Sequence, residues 1–172
     1  MRSILPYVDI VIANEADCHD VLSIQAGNTE VDAGALQINR YPDDASQLIE
    51  QFPNISHVAI TLRESISASH NNWGAMLYVA EDQQAYFAPE RDGAYRPYEI
   101  RNIVDRVGGG DSFAAGLIFA LTTPELNSPA DAIQFATAAS CLAHSISGDF
   151  NFSTRAEVET LMHGSGTGRV VR

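Results

Sequence analysis

Three consecutive glycines, Gly108-Gly109-Gly110, separate an alternating stretch, "IRNIVDRV" at 100–107, from an apolar pattern of helical spacing that begins at Asp111. Glycine adopts backbone angles that side chains forbid to other residues, so a chain can turn sharply there and expose successive amide N–H groups. Phe113, Leu117, Ile118 and Leu121 recur at the spacing of one helix face. The helix that starts near Asp111 adds the positive end of its dipole to the glycine turn. A strand that turns tightly into a helix is the repeating joint of an α/β layered fold.

The remaining segments fit that class. "YVDIVIAN" at 7–14 is β-branched and apolar and predicts a buried strand. Asn14 is placed to cap a following helix, "EADCHDVLSI", with Glu15 and Asp17 in its first turn. "QAGNTEVDAG" reads as loop, and "DDASQLIEQF" after Pro42 as a short amphipathic helix ended by Pro53-Asn54. "HVAITL" at 57–62 predicts a second buried strand, and polar "RESISASHNN" at 63–72 a loop. "WGAMLYVA" and "QAYFAP" predict a strand pair turned at Glu81-Asp82, and "IRNIVDRV" a further strand. Pro124 stops the helix after the glycines. A second helix opens at Ser128 with Pro129 in its first position, and a third starts within Ser153 to Ala156 and ends at Gly164. The expectation is a largely parallel sheet whose ligands bind beyond the carboxyl ends of its strands, where Asn14 and the glycines lie. One domain over 1–163 is followed by a flexible tail over 164–172.

Composition narrows the chemistry. The formal net charge is -12, and all ten basic residues are arginine, with no lysine. A P-loop, a protein kinase and a Schiff-base enzyme each need a lysine. An acidic chain without a polybasic run is a poor nucleic-acid binder. No run of about 18 apolar residues suggests a membrane span, and the first residues lack a signal-peptide pattern, so a cytoplasmic location is expected. Cys18 and Cys141 stand far apart in apolar surroundings and read as buried thiols; neither neighbouring histidine, His19 or His144, completes a zinc pattern.

Four readings of the glycine–aspartate stretch compete. It is a tight turn with Asp111 as a helix cap; a dinucleotide site, against which Phe113 stands where a third glycine is required; a serine hydrolase elbow built on Ser112, with His144 or His163 to complete a triad; or an anion hole with its own base. In the last, Asp111 handles a proton while glycine amides hold developing negative charge. That division of labour suits phosphoryl transfer to an alcohol.

Asp105-Arg106-Val107-Gly108-Gly109-Gly110-Asp111-Ser112-Phe113 resembles the second signature of ribokinase-like (PfkB) carbohydrate kinases. "NEAD" at 14–17 resembles the family's N-x-x-E element, with Asp17 in place of its glutamate. "AITLRESISAS" and "FATAASCLAHSISGD" resemble the family's nucleotide-side strand and its alanine-rich helix. "DRVGGGDSFAAGLI" is similar to the form found in 2-keto-3-deoxygluconate kinases.

The resemblance implies a ribokinase-like layered fold, a mostly parallel sheet with helices on both faces. Residues 1–163 would be the C-terminal, nucleotide-binding and catalytic part, with the N-terminal half and lid missing. It implies ATP-dependent phosphorylation of a sugar or sugar acid, 2-keto-3-deoxygluconate in this branch, with Mg2+ and a monovalent cation such as K+. Asp111 would be the base, and Gly108, Gly109 and Gly110 the anion hole. Asn14, Arg63 and Thr137 would serve the nucleotide, Asp17 the magnesium, and Asp105 and Val107 the monovalent cation. Asp149 and Arg106 would meet the sugar acid. Alone, such a chain is expected to be inactive and to need its missing half or a second copy.

Overall fold

The structure, a computed structural model, describes residues 2–14, 17 and 38–164. The expected helix over 15–24, the loop after it, Cys18 and His19, and the tail beyond Gly164 lie outside the described residues. The strands are β1 (Ile10–Asn14), β2 (His57–Ser67), β3 (His70–Val79), β4 (Gln84–Ala88), β5 (Glu90–Arg91), β6 (Ala94–Tyr95) and β7 (Tyr98–Arg101). The helices are α1 (Tyr41–Gln51), α2 (Gly109–Leu121), α3 (Pro129–Ala143) and α4 (Arg155–His163).

The strand order is β1-β2-β3-β4, with β7 also paired to β3. The sheet is mixed: β1 lies parallel to β2, Ile10 opposite His57 and Asn14 opposite Thr61. β7 runs antiparallel to β3, His70 opposite Arg101 and Trp73 opposite Tyr98.

The chain divides into two compact units. The first comprises Met1–Leu62 with Met76–Tyr86. Its core gathers Leu48 from α1, Ile55 ahead of β2, and Val58, Ile60 and Leu62 from β2, all essentially buried. Tyr7 belongs to a short 3-10 turn over Leu5–Tyr7, so β1 starts at Ile10 rather than at Tyr7. β1 is also only partly buried, because β2 is its one partner among the described residues. The Asn54 amide donates to the carbonyls of Leu5 and Val8 at 2.8 and 2.7 Å and ties that turn down. α1 begins two residues before the expected Asp43, with Pro42 in its first turn, where a missing N–H costs nothing.

The second unit comprises Arg63–Ala75 with Phe87–Arg172. Here the expected loop over 63–72 is strand: β2 continues to Ser67 and β3 begins at His70. Its polar side chains are mostly exposed, and backbone pairing rather than apolar burial holds the segment extended. The alternating stretch at 100–107 behaves in the opposite way. β7 ends at Arg101, and Asn102 takes a positive φ of 64° that breaks the ladder.

α2 and α3 pack face to face. Phe113, Leu117 and Ala120 meet a seam of Ala132, Ile133 and Ala136, all fully buried. Gly116 permits the close approach, since a Cβ there would lie 3.1 Å from the Ala136 Cα. Ser128 caps α3 as expected, its hydroxyl accepting from the Asp131 N–H at 3.1 Å. α4 opens with a capping box: the Thr154 hydroxyl accepts from the Glu157 N–H, and the Glu157 carboxylate accepts from the Thr154 N–H.

Candidate active site

Asn14 and Asp17 belong to the first unit. The Asn14 Oδ1 accepts from the Asp17 N–H at 3.0 Å, and the Asp17 Oδ2 accepts from the Asn14 N–H at 3.1 Å. The exchange holds both side chains in one orientation, and the helix Asn14 is expected to cap lies outside the described residues.

The glycine–aspartate stretch belongs to the second unit. The Asp105 Oδ1 accepts from the N–H groups of Arg106 and Val107 at 2.7 and 3.1 Å, and its Oδ2 from the Gly148 N–H at 3.0 Å. These amide bonds, that of Val107 foremost, hold the carboxyl below its usual range. Asp105 thus ties the loop before the glycines to the loop after α3. Gly108 caps α2 in the left-handed region, at φ 78° and ψ -6°. A Cβ on Gly108 would lie 2.9 Å from both Cα and C of Asp149, and closer still to the Asp149 carbonyl oxygen. Gly108 is therefore required twice over, by its dihedral and by the backbone it touches.

α2 starts at Gly109, one turn earlier in effect than an Asp111 cap would set it. Its first internal bond runs from the Ser112 N–H to the Gly108 carbonyl at 2.8 Å. The amides of Gly109, Gly110 and Asp111 are the helix's first-turn donors, which have no acceptor within the helix. Gly110 and Asp111 are exposed, and a Cβ on Gly110 would meet nothing within 4 Å. Asp111 is the third helical residue, not the cap, so its carboxylate stands beside these donors and the positive helix end.

The other expected site residues are placed unequally. The Arg106 guanidinium donates to the carbonyls of Ser67 and Ala68 at 3.2 and 2.8 Å, and to the Asn71 Oδ1 at 3.3 Å. It thereby fastens the β2–β3 turn to the loop. Asp149 is exposed, and its backbone is brought against Gly108. Val107 is exposed on the same loop, and Arg63 is exposed on β2. Thr137 lies in the helix core, fully buried, its hydroxyl donating to the Ile133 carbonyl at 2.7 Å. It offers no exposed atom to a nucleotide.

Ser112 is buried, and the His144 Nδ1 is engaged with the Ser140 carbonyl at 2.8 Å rather than with Ser112. That geometry removes the hydrolase triad through His144. His144 is instead a support that the sequence does not reveal. Its ring lies 4.9 Å from the Trp73 ring and 3.1 Å from where a Gly109 Cβ would be. Its carbonyl accepts from the N–H groups of Val104 and Asp105 at 2.9 and 3.4 Å. Burial, reinforced by the charges of Arg106 and Arg63, holds its imidazole below the usual histidine range. Ser140, one turn earlier on α3, is fully buried and donates from Oγ to the Gly109 carbonyl at 2.7 Å. Only the Ser-x-x-x-His spacing at the end of the helix hints at this pair. Cys141 is buried, and burial pushes its thiol up to about 12, so it is not a reactive nucleophile.

Residues 1–154 match the model of the pfkB family of carbohydrate kinases. The chain belongs to this family. The pfkB assignment agrees with its structural neighbours. A 2-dehydro-3-deoxygluconokinase from Thermotoga maritima matches at 39% identity and a TM-score of 0.78, over 95% of this chain and 44% of that one. A PfkB family carbohydrate kinase from Listeria grayi matches at 28% identity and a TM-score of 0.74, over 95% and 43%. A ribokinase from Thermotoga maritima, at 20% identity and a TM-score of 0.62, shares the fold, over 95% and 45%. The chain spans less than half the length of these kinases. No curated protein matches it in sequence. The ribokinase-like α/β fold expected from the sequence is the fold it has. Among the described residues no helix is long and apolar enough to cross a membrane.

Proposed function

We propose that this chain carries the catalytic part of an ATP-dependent sugar-acid kinase, with 2-keto-3-deoxygluconate as the phosphate acceptor. One observation carries the reading. Asp111 stands exposed in the first turn of α2, immediately after a glycine turn whose amides have no acceptor in the helix. A carboxylate beside an anion-binding helix start is unfavourable for a resident anion alone. It suits a step in which a proton leaves as negative charge develops nearby.

In that step the Asp111 carboxylate takes the proton of an acceptor hydroxyl. The hydroxyl oxygen bonds to the γ-phosphorus of ATP, the bond from that phosphorus to the bridging β,γ-oxygen breaks, and ADP leaves. The amides following Gly108, those of Gly109 and Gly110, stabilise the transferring phosphoryl, and the helix dipole adds to them. Asp149 and Arg106 are assigned to the sugar acid, and Arg63 to the nucleotide. The identity to the Thermotoga 2-dehydro-3-deoxygluconokinase supports the choice of acceptor.

Among the described residues no three His, Cys, Asp or Glu side chains gather as a metal cage. A single oriented carboxylate, Asp17, suits a magnesium ion that keeps most of its water. When bound, that ion neutralises phosphate charge. Main-chain carbonyls near Asp105 and Val107 suit a monovalent cation such as K+.

Turnover is expected of a polypeptide that supplies the elements this chain does not span, and not of the 172-residue chain alone. The test is Asp111→Asn in that polypeptide, assayed for ATP-dependent phosphorylation of 2-keto-3-deoxygluconate. A loss of about 10²–10⁴ in kcat with ATP affinity retained is expected for a general base. Undiminished turnover refutes the assignment, and a wild type that binds ATP but transfers nothing is a nucleotide-binding protein only.

A further inference from the structure

We propose that Ser140 is a positioning residue for phosphoryl transfer, acting through the Gly109–Gly110 peptide. The inference rests on the proposed role of the α2 amides. In a trans peptide the C=O and the following N–H point in opposite directions. The Gly109 carbonyl is held from α3 by the buried Ser140 hydroxyl, at 2.7 Å. The Gly110 N–H in the same peptide therefore points away from α3, and Gly110 is exposed.

The hold extends through the end of α3. The Ser140 carbonyl takes the His144 Nδ1 at 2.8 Å, and the His144 carbonyl takes the N–H groups of Val104 and Asp105. The loop is thus held at Val104 and Asp105, and the start of α2 at Gly109, by two groups one turn apart at the end of α3. Beneath Gly109 the imidazole fills the space a side chain would need. A glycine turn is intrinsically mobile, whereas stabilising a transition state requires donors whose directions are set beforehand. Gly109 and Gly110 open α2, so the helix sets the general direction of their peptide, and the buried Ser140 hydroxyl on its carbonyl adds a fixed support from α3 without touching substrate.

The variants are Ser140→Ala, which removes the donor, and Ser140→Cys, which keeps a weak donor of similar size. Both are made in the polypeptide used for Asp111→Asn. The readouts are kcat, KM for ATP and for sugar acid, and the affinity of ADP with tetrafluoroaluminate, a mimic of the transferring phosphoryl. Ser140→Ala is expected to lower kcat and tetrafluoroaluminate affinity together by roughly 10–100-fold, as displaced supports of catalytic groups do. Both KM values are expected to stay within about twofold, because ground-state binding is not what the peptide direction serves. Ser140→Cys is expected to fall between Ser140→Ala and wild type.

Unchanged kcat and tetrafluoroaluminate affinity in Ser140→Ala, with Asp111→Asn inactive, overturns the positioning role and leaves the site reading standing. Active Asp111→Asn overturns both. If Ser140→Ala does not fold, Ser140→Cys decides: kcat lowered at constant KM supports the role, and wild-type kcat, or kcat and both affinities falling in step with the melting temperature, overturns it.

Discussion

Replacing Gly108 by alanine isolates the geometry on which the site depends. Gly108 sits at φ 78°, where an L-residue costs about 1–2 kcal/mol relative to glycine. The new methyl group would also lie 2.9 Å from two backbone atoms of Asp149, which cannot rotate aside. Forcing an extra carbon into a packed position costs about 1–3 kcal/mol. The sum is about 2–5 kcal/mol. In a domain of this size each ~1 kcal/mol moves Tm by ~2–4 °C, so Gly108→Ala is expected to melt lower by about 4–20 °C. Gly110→Ala is the internal control: a Cβ there meets nothing within 4 Å. Alanine is also the better helix former by about 1 kcal/mol, so its Tm is expected to hold or rise. Thermal and urea unfolding followed by circular dichroism on the chain and both variants reads the difference directly. Equal midpoints for Gly108→Ala and wild type, or an equal fall in Gly110→Ala, would refute both the left-handed turn and the contact with Asp149.

Two further perturbations probe what holds the site from behind. Phe113→Ala empties a fully buried position between α2 and α3 and is expected to cost about 3–5 kcal/mol in urea unfolding, with little change if that seam is not the core. His144 should carry a pH signature. Burial keeps its folded-state pKa below the ordinary histidine value of about 6.5, so the unfolded chain takes up the proton first. Its contribution is whole above about 6.5 and is lost as pH falls from there towards the lowered folded value, then levels off. Stability measured from pH 7.5 to 5 should therefore decline less steeply in His144→Gln than in wild type. The slope that remains includes His57, also lowered by burial. Parallel slopes for the two proteins would contradict a buried neutral His144.

The local signals in the sequence were strong where one residue type has one physical use. Ser128-Pro129 opens a helix as expected, the Ser128 hydroxyl capping the first turn. The glycine triplet announced a turn into a helix, and the helix starts within it, at Gly109. Polarity misled between 63 and 72, because a strand whose bonds are main-chain needs no apolar face, and alternation misled after Arg101, because a positive φ at Asn102 ends the ladder. The carboxylate of Asp105 is claimed by the amides of Arg106, Val107 and Gly148, of which Gly148 is 43 residues away, and nothing local marks that distant partner.

The chain itself set which residue types are at hand: no lysine anywhere, a run of three glycines, and an aspartate directly after it, the set on which the proposed proton transfer draws. Those are properties of residue types and their immediate neighbours, so they survive in one dimension. Direction was decided only by tertiary structure. The α3 helix turns Ser140 and His144 onto the glycine loop, and the backbone of Asp149 closes on Gly108. Where a peptide points depends on what is packed behind it, and those atoms come from segments some 30 to 40 residues away in sequence.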